Sequence, residues 1–136
     1  MADLVVTAAN VVADSSASRV TGQAGEAITA GRAVYLSAIT KKWMLADSNS
    51  ATAEAKKAAG IALNGAALSQ PLVVCTGGPV TMGATLVPGD PYYLSETPGG
   101  IQPATGLGAG ENVCQLGLAI SASVLNVAIQ NPGVTK

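Results

Sequence analysis

Acid–base and nucleophilic chemistry near neutral pH most often relies on histidine, and this chain of 136 residues has none. That removes the usual general base, the Ser-His-Asp arrangement, and most zinc and non-haem iron sites. Ser37 and Ser95 recur at matching places in the chain, but with no base to activate them they read as serines at strand ends or turns. The carboxylates Asp3, Asp14, Glu26, Asp47, Glu54, Asp90, Glu96 and Glu111 are scattered. Glu26 with Asp47, or Asp90 with Glu96, could approach each other in a fold. An acid–base pair needs a set separation in space, which spacing along the chain does not fix. Gly106, Gly108 and Gly110 superficially resemble a phosphate cradle, yet the dinucleotide spacing is missing and no helix pattern follows to offer its N-terminus. Cys75 and Cys114 each lie among apolar, strand-like neighbours and read as buried free thiols, with a disulfide between them left open. The expectation is therefore no enzyme, with no catalytic, metal-binding or cofactor-binding residues.

The elements that would carry any site come in duplicate. Residues 27–37 return as residues 85–95, placing Gly31 on Gly89, Tyr35 on Tyr93, Leu36 on Leu94 and Ser37 on Ser95. Gly60-Ile61-Ala62 returns as Gly117-Leu118-Ala119, Leu72–Val74 answers Val127–Ile129, and Gly78 answers Gly133. A long period with only two copies means two small β units closed on each other rather than a solenoid. The first repeat spans about 25–78 and the second about 83–133. Ala33–Leu36, Trp43–Ala46, Gly60–Leu63 and Pro71–Cys75 read as strands of the first. Pro91–Leu94, a strand opened by Ile101 in the place of Trp43, Val113–Ser121 and Val124–Gln130 serve the second, with Thr97–Gly100 as a turn. Ser50–Ala59 reads as the one helix, capped by Ser50 and ended by Gly60 in the left-handed conformation. Thr105–Glu111 is its glycine-rich, looped counterpart. The fold class expected is all-β: a compact β-clip, or a small barrel or sandwich, of two repeats with one short helix.

Residues 1–22 fall outside the repeat, leaving 23–136 as one domain. Leu4, Val5, Val6, Val11 and Val12 form two apolar clusters there, followed by the polar stretch Asp14–Ser18. The segment reads equally as an extended arm that adds a strand to a partner and as the first strand of the domain's own sheet.

Composition narrows the partners. Charged residues are 11%, far below the ~25% of an ordinary soluble domain, so part of the surface should be covered. A net charge of −1 and the lone doublets Lys41-Lys42 and Lys56-Lys57 argue against nucleic acid. Neither a secretory signal nor a membrane-spanning run is evident, so a soluble product made in the cytoplasm is expected. With aromatics only 3% and no Phe, the core should be thin. Tyr35 and Tyr93 are expected in it as an equivalent pair, while Trp43 and Tyr92 are candidates for a subunit interface.

Residues 25–36, 45–47 and 58–63, with Gly89–Ser95, Thr97–Ile101 and Leu116–Ala119, resemble small bacteriophage capsid decoration, or cement, proteins. The resemblance covers about residues 25–130, and Ile28–Gly31 is also similar to β-clip domains. It implies a homotrimer on the outside of an expanded phage head, seated where major capsid protein subunits meet, with the N-terminal arm as the capsid-binding element. The alternative is a head-fibre base or adhesin-type binding module, although its loops would then be expected to carry aromatic residues. An enzyme on a β-clip core is the weakest reading, for want of the groups above.

Overall fold

A computed structural model describes residues 3–136. The two hairpins are the clearest product of the local sequence. Ala33–Leu36 (β3) turns through Ser37–Lys42 into Trp43–Leu45 (β4), pairing Val34 with Leu45 and Leu36 with Trp43. Pro91–Leu94 (β7) turns into Ile101–Pro103 (β8), pairing Tyr92 with Pro103 and Leu94 with Ile101. Ile101 thus holds the register place of Trp43. Ser37 and Ser95 hold the two turns: Ser37 Oγ accepts the N–H of Ile39 and of Thr40, and Ser95 Oγ accepts that of Thr97.

Each hairpin is extended by two further strands. Gly60–Ala62 (β5) and Pro71–Thr81 (β6) belong to the first half, and Gln115–Ala119 (β9) and Val124–Gln130 (β10) to the second. The order across the sheet is β4-β3-β5-β6-β10-β9-β7-β8, every neighbouring pair antiparallel, so the two halves mirror each other about the β6–β10 seam. The sheet curls into a half-barrel, and the all-β, barrel-like class is the one observed. Val12–Ala13 (β1) and Ser18–Gln23 (β2) also pair with β6, so the segment before the repeat supplies strands to this same sheet.

Gly60 and Gly117 are equivalent in pairing, opposite Val34 and Tyr92 respectively. Both lie where a neighbouring strand's backbone comes close. A Cβ on Gly60 would sit 2.6 Å from the Cys75 carbonyl oxygen, and one on Gly117 would be 3.2 Å from Val127 Cα. The expected match of Leu72–Val74 with Val127–Ile129 is corrected by the register. Ile61 pairs with Cys75 and Leu118 with Asn126, which sets Val74 against Leu125. Unequal connections account for the slip: residues 63–70 join β5 to β6, but only 120–123 join β9 to β10. Each half also carries a bulge. Thr76 is skipped between the pairs Ser18–Gly77 and Arg19–Cys75, and Leu116 between Tyr92–Gly117 and Tyr93–Gln115.

The expected helix is also corrected. Within Ser50–Ala59 only Ala53–Lys56 makes a 3-10 turn; Thr52 and Lys57 on either side are extended, and no side chain caps it. Gly60 begins β5 instead of ending a helix. The segment has only Ala55 and Ala58 to bury. Two alanines offset too little of the nucleation cost of a helix this short.

The bulge at Thr76 has a large consequence for the core. Side chains alternate along a strand, yet Cys75 and Val80 both point into the main core. The extra residue turns β6 over as it passes from one half to the other. In the first half Ala33, Tyr35, Ile61 and Cys75 face that core. Val34, Trp43, Ala62 and Val74 on the opposite face build a second, smaller core under Ala24, Ile28 and Ala66. In the second half the equivalents of that opposite face, Tyr92, Leu94, Ile101 and Leu125, are the ones that enter the main core. Tyr35 is accordingly buried, but its repeat mate Tyr93 is only half-buried, correcting the expectation of an equivalent core pair. The chain exposes 6301 Å², close to the ~6,400 Å² of a compact monomer of its size.

Candidate docking surface

The groups that could do chemistry are dispersed and occupied by structure. Cys75 and Cys114 are both free and buried. Burial pushes the Cys114 thiol up to about 11 and raises Cys75 as well, leaving both as neutral thiols. Glu26 accepts the Leu45 N–H at 3.0 Å, whereas Asp47 accepts the Asn49 N–H at 3.1 Å. Glu96 accepts from the Asn49 amide at 3.3 Å. Among the described residues no group of three or more Cys, Asp or Glu is placed to hold a metal ion.

One carboxylate that sequence reasoning left as part of a surface loop is central to the structure. Glu111 is 2% exposed. Its Oε1 accepts the Ser48 hydroxyl at 2.6 Å and the Gln102 amide at 2.9 Å, while Oε2 accepts the Gly108 N–H. The glycine loop therefore wraps a buried anion with its backbone. Lys136 closes it from outside, donating its N–H to the Glu111 carbonyl and its ammonium to the Leu107 carbonyl. Because Ser48 belongs to the first half and Gln102 to the second, this carboxylate ties the halves together. The only signal in the sequence was an acid directly after Gly110, in a chain with few acids.

The N-terminal segment lies along the chain's own body. The Leu4 N–H donates to the Ile101 carbonyl at the edge of β8, and the Thr7 N–H to the Gly83 carbonyl, each at 2.8 Å. The Ser95 hydroxyl donates to Asp3 at 2.6 Å. A side chain on Gly31, Gly83 or Gly100 would run into Val6, Thr7 or Asp3, so three glycines form the bed of this strap. Val11 is buried, and Leu4 and Val6 pack on the main core. Of the five apolar residues singled out in the segment, Val5 (87% exposed) and Val12 (62%) remain on the surface.

Trp43 and Tyr92 are both buried within the subunit. Tyr92 is a core residue whose hydroxyl accepts the Val87 N–H at 3.0 Å. Trp43 lies under the rim of the smaller core, where Val20, Leu36, Lys41 and Thr76 surround a shallow hollow.

The exposed apolar surface lies elsewhere, on residues that strand alternation alone did not separate from core. One group follows from the register. Val12, Thr81 and Val124 are direct neighbours across β1, β6 and β10. Pro79, Asn126, Leu118 and Pro91 form the next row across β6, β10, β9 and β7. These rows lie on the outer face, behind Val80, Leu125 and Ala119 of the core. Ile120 continues along β9's exit, exposed like Leu118. The border is acidic: Asp14 lines the hollow beside Val12 and Val124, and Asp90 immediately precedes Pro91. Hydrogen bonds from the Ser16 hydroxyl and N–H hold Asp14 below the ordinary carboxylate value. Isolated exposed apolar residues also stand at Ile39 (88%) and Leu68 (63%). This arrangement can bind by area, and it offers no reacting group.

No protein-family model matches the chain, and no curated protein matches it.

Proposed function

We propose that the protein is a structural component of a virus particle, a decoration protein that sits as a homotrimer on the outer surface of a capsid and stabilises it. The observation that carries this reading is the apolar outer face, where Val12, Leu118 and Ile120 stand exposed in a chain only 11% charged, with Val5 exposed on the N-terminal segment. Contiguous apolar patches on a soluble surface mark binding to other macromolecules. A shell-covering protein needs area above all, because many identical weak contacts sum through multivalency. The resemblance of residues 25–130 to cement proteins points the same way.

Within this reading the capsid contact of the N-terminal segment falls to the exposed Val5 and Val12, since Leu4, Val6 and Val11 are engaged with the chain itself. The test is the copy number of this chain relative to the major capsid protein in purified particles. The proposal expects a ratio near one to one. It also expects Val5→Asp to lower occupancy on reconstituted shells while leaving the fold's circular dichroism unchanged. A handful of copies per particle, or none, overturns it and favours a fibre base or a role outside the virion.

A further inference from the structure

The two halves pack on each other in a way that leaves the Pro91 face of the second half uncovered and only the rim of the first half's Val34 face open. In each half the hairpin and its two added strands have a face led by the first residue of the hairpin, Ala33 or Pro91, and an opposite face led by the second, Val34 or Tyr92. Inside the subunit, the Ala33 face of the first half meets the Tyr92 face of the second in the main core. Two faces are left. The Pro91 face of the second half is the outer surface carrying Leu118 and Val124. The Val34 face of the first half is covered by its own loop except at the rim, where Leu36 (47% exposed) and Val20 (41%) remain in the open above Trp43.

We propose that these two leftover faces bind each other between copies, head to tail, so that the Leu118 face of one subunit seats on the Leu36 rim of the next. This rests on the homo-oligomer reading given above and names its contact. The internal interface joins the same two kinds of face; between copies only the uncovered rim, Leu36 and Val20, is open to the Leu118 face, because Val34, Ala62, Leu72 and Val74 are buried under the subunit's own loop. Charge agrees with the pairing. The outer face is bordered by Asp90 and by Asp14, the latter partly offset by the Arg19 guanidinium on its carbonyl, and the rim carries Lys41. Such a contact is heterologous, using different patches on the two partners; it forms a ring where its rotation closes and a filament where it does not, and the trimer reading requires the ring. Three copies would make a ring of six repeats.

The arrangement has a signature that a symmetric contact lacks. Leu118→Glu disables only the outer face and Leu36→Glu only the rim; both side chains are exposed in the monomer, so both variants should fold. Mass measurement by light scattering on the full chain is expected to show a closed oligomer for the parent and monomers for each variant alone. Mixed in equal amounts, the variants should form a dimer and go no further, because one intact outer face meets one intact rim. If both variants keep the parent's oligomer, the contact lies elsewhere: this inference falls and the homotrimer reading stands. If the variants are monomers and the mixture stays monomeric, the head-to-tail pairing is wrong. A monomeric parent overturns both readings.

Discussion

Replacing Glu111 by Gln tests whether one buried carboxylate holds the halves of this protein together. The substitution keeps shape and volume but exchanges one acceptor oxygen for an NH2 group. In the parent, Oε1 takes two donors, from Ser48 and Gln102, and Oε2 takes the Gly108 N–H. The better orientation of the new amide leaves its oxygen with Ser48 and Gln102, so that its NH2 faces the Gly108 N–H. One half-buried donor then loses its acceptor, at about 1 kcal/mol, the low end of the cost for a buried one. The two retained bonds lose their charge assistance, which weakens each by about half. Against this, a neutral amide is cheaper to desolvate than a carboxylate. The net expectation is a loss of about 2 kcal/mol in urea unfolding, with an unchanged dependence on denaturant concentration. Hydrogen exchange should speed up at Gly108, Asn112 and Lys136, whose amides or carbonyls secure the loop. In a double-mutant cycle with Ser48→Ala, Glu111→Gln should show a coupling of about 1 kcal/mol. A stability within about 0.5 kcal/mol of the parent, with unchanged exchange, would refute the idea that the carboxylate clamps the halves.

Other perturbations probe the packing. Tyr35→Ala opens a cavity in the main core and should cost about 3–4 kcal/mol, whereas Tyr93→Ala on the opposite face should cost about 1; equal losses would mean that the faces are misassigned. Gly60→Ala and Gly117→Ala each force a methyl group against the backbone of a neighbouring strand, at the Cys75 and Asn126 carbonyls. Each should destabilise by about 2 kcal/mol or more in thermal or urea melts, and near-neutral results would disprove the close approach. Cys114 has its thiol pushed up to about 11 by burial, so the fold holds a proton that the unfolded chain releases near the ordinary value of 9.0. Its contribution, on the order of 2 kcal/mol, is complete below pH 9 and fades as pH climbs toward 11. Cys75 and Tyr35, both raised mainly by burial, act in the same direction. Urea melts at pH 8 and pH 10.5 should differ less in Cys114→Ala than in the parent, and an identical pH response in the two proteins would show that the thiol does not contribute.

Much of the architecture was legible because turn chemistry and strand alternation act over a few residues. The hairpins at 33–45 and 91–103, the turn roles of Ser37 and Ser95, the equivalence of Gly60 and Gly117 and the burial of both cysteines all follow from such local signals. The helix expected at 50–59 is replaced by a short 3-10 turn because only Ala55 and Ala58 are there to bury, too little apolar surface to hold a helix against the sheet. Glu111 was missed for a different reason: a glycine-rich loop looks the same in sequence whether it waves in solvent or wraps an anion. What distinguishes the two is the arrival of Ser48 and Gln102, respectively 63 and 9 residues away along the chain.

The amino-acid sequence alone determined that this is an all-β protein of two repeats, without histidine and poor in charge, because composition and short-range spacing encode those properties directly. Tertiary structure decided which face of each repeat became core. The tyrosine motifs of the two halves are closely similar, yet Tyr35 is buried in the main core and Tyr93 only half-covered on the outside. A single extra residue at Thr76 turns β6 over between them. With a side-chain period of two, one inserted residue exchanges inside for outside along everything that follows, and nothing local to either tyrosine records that it has happened.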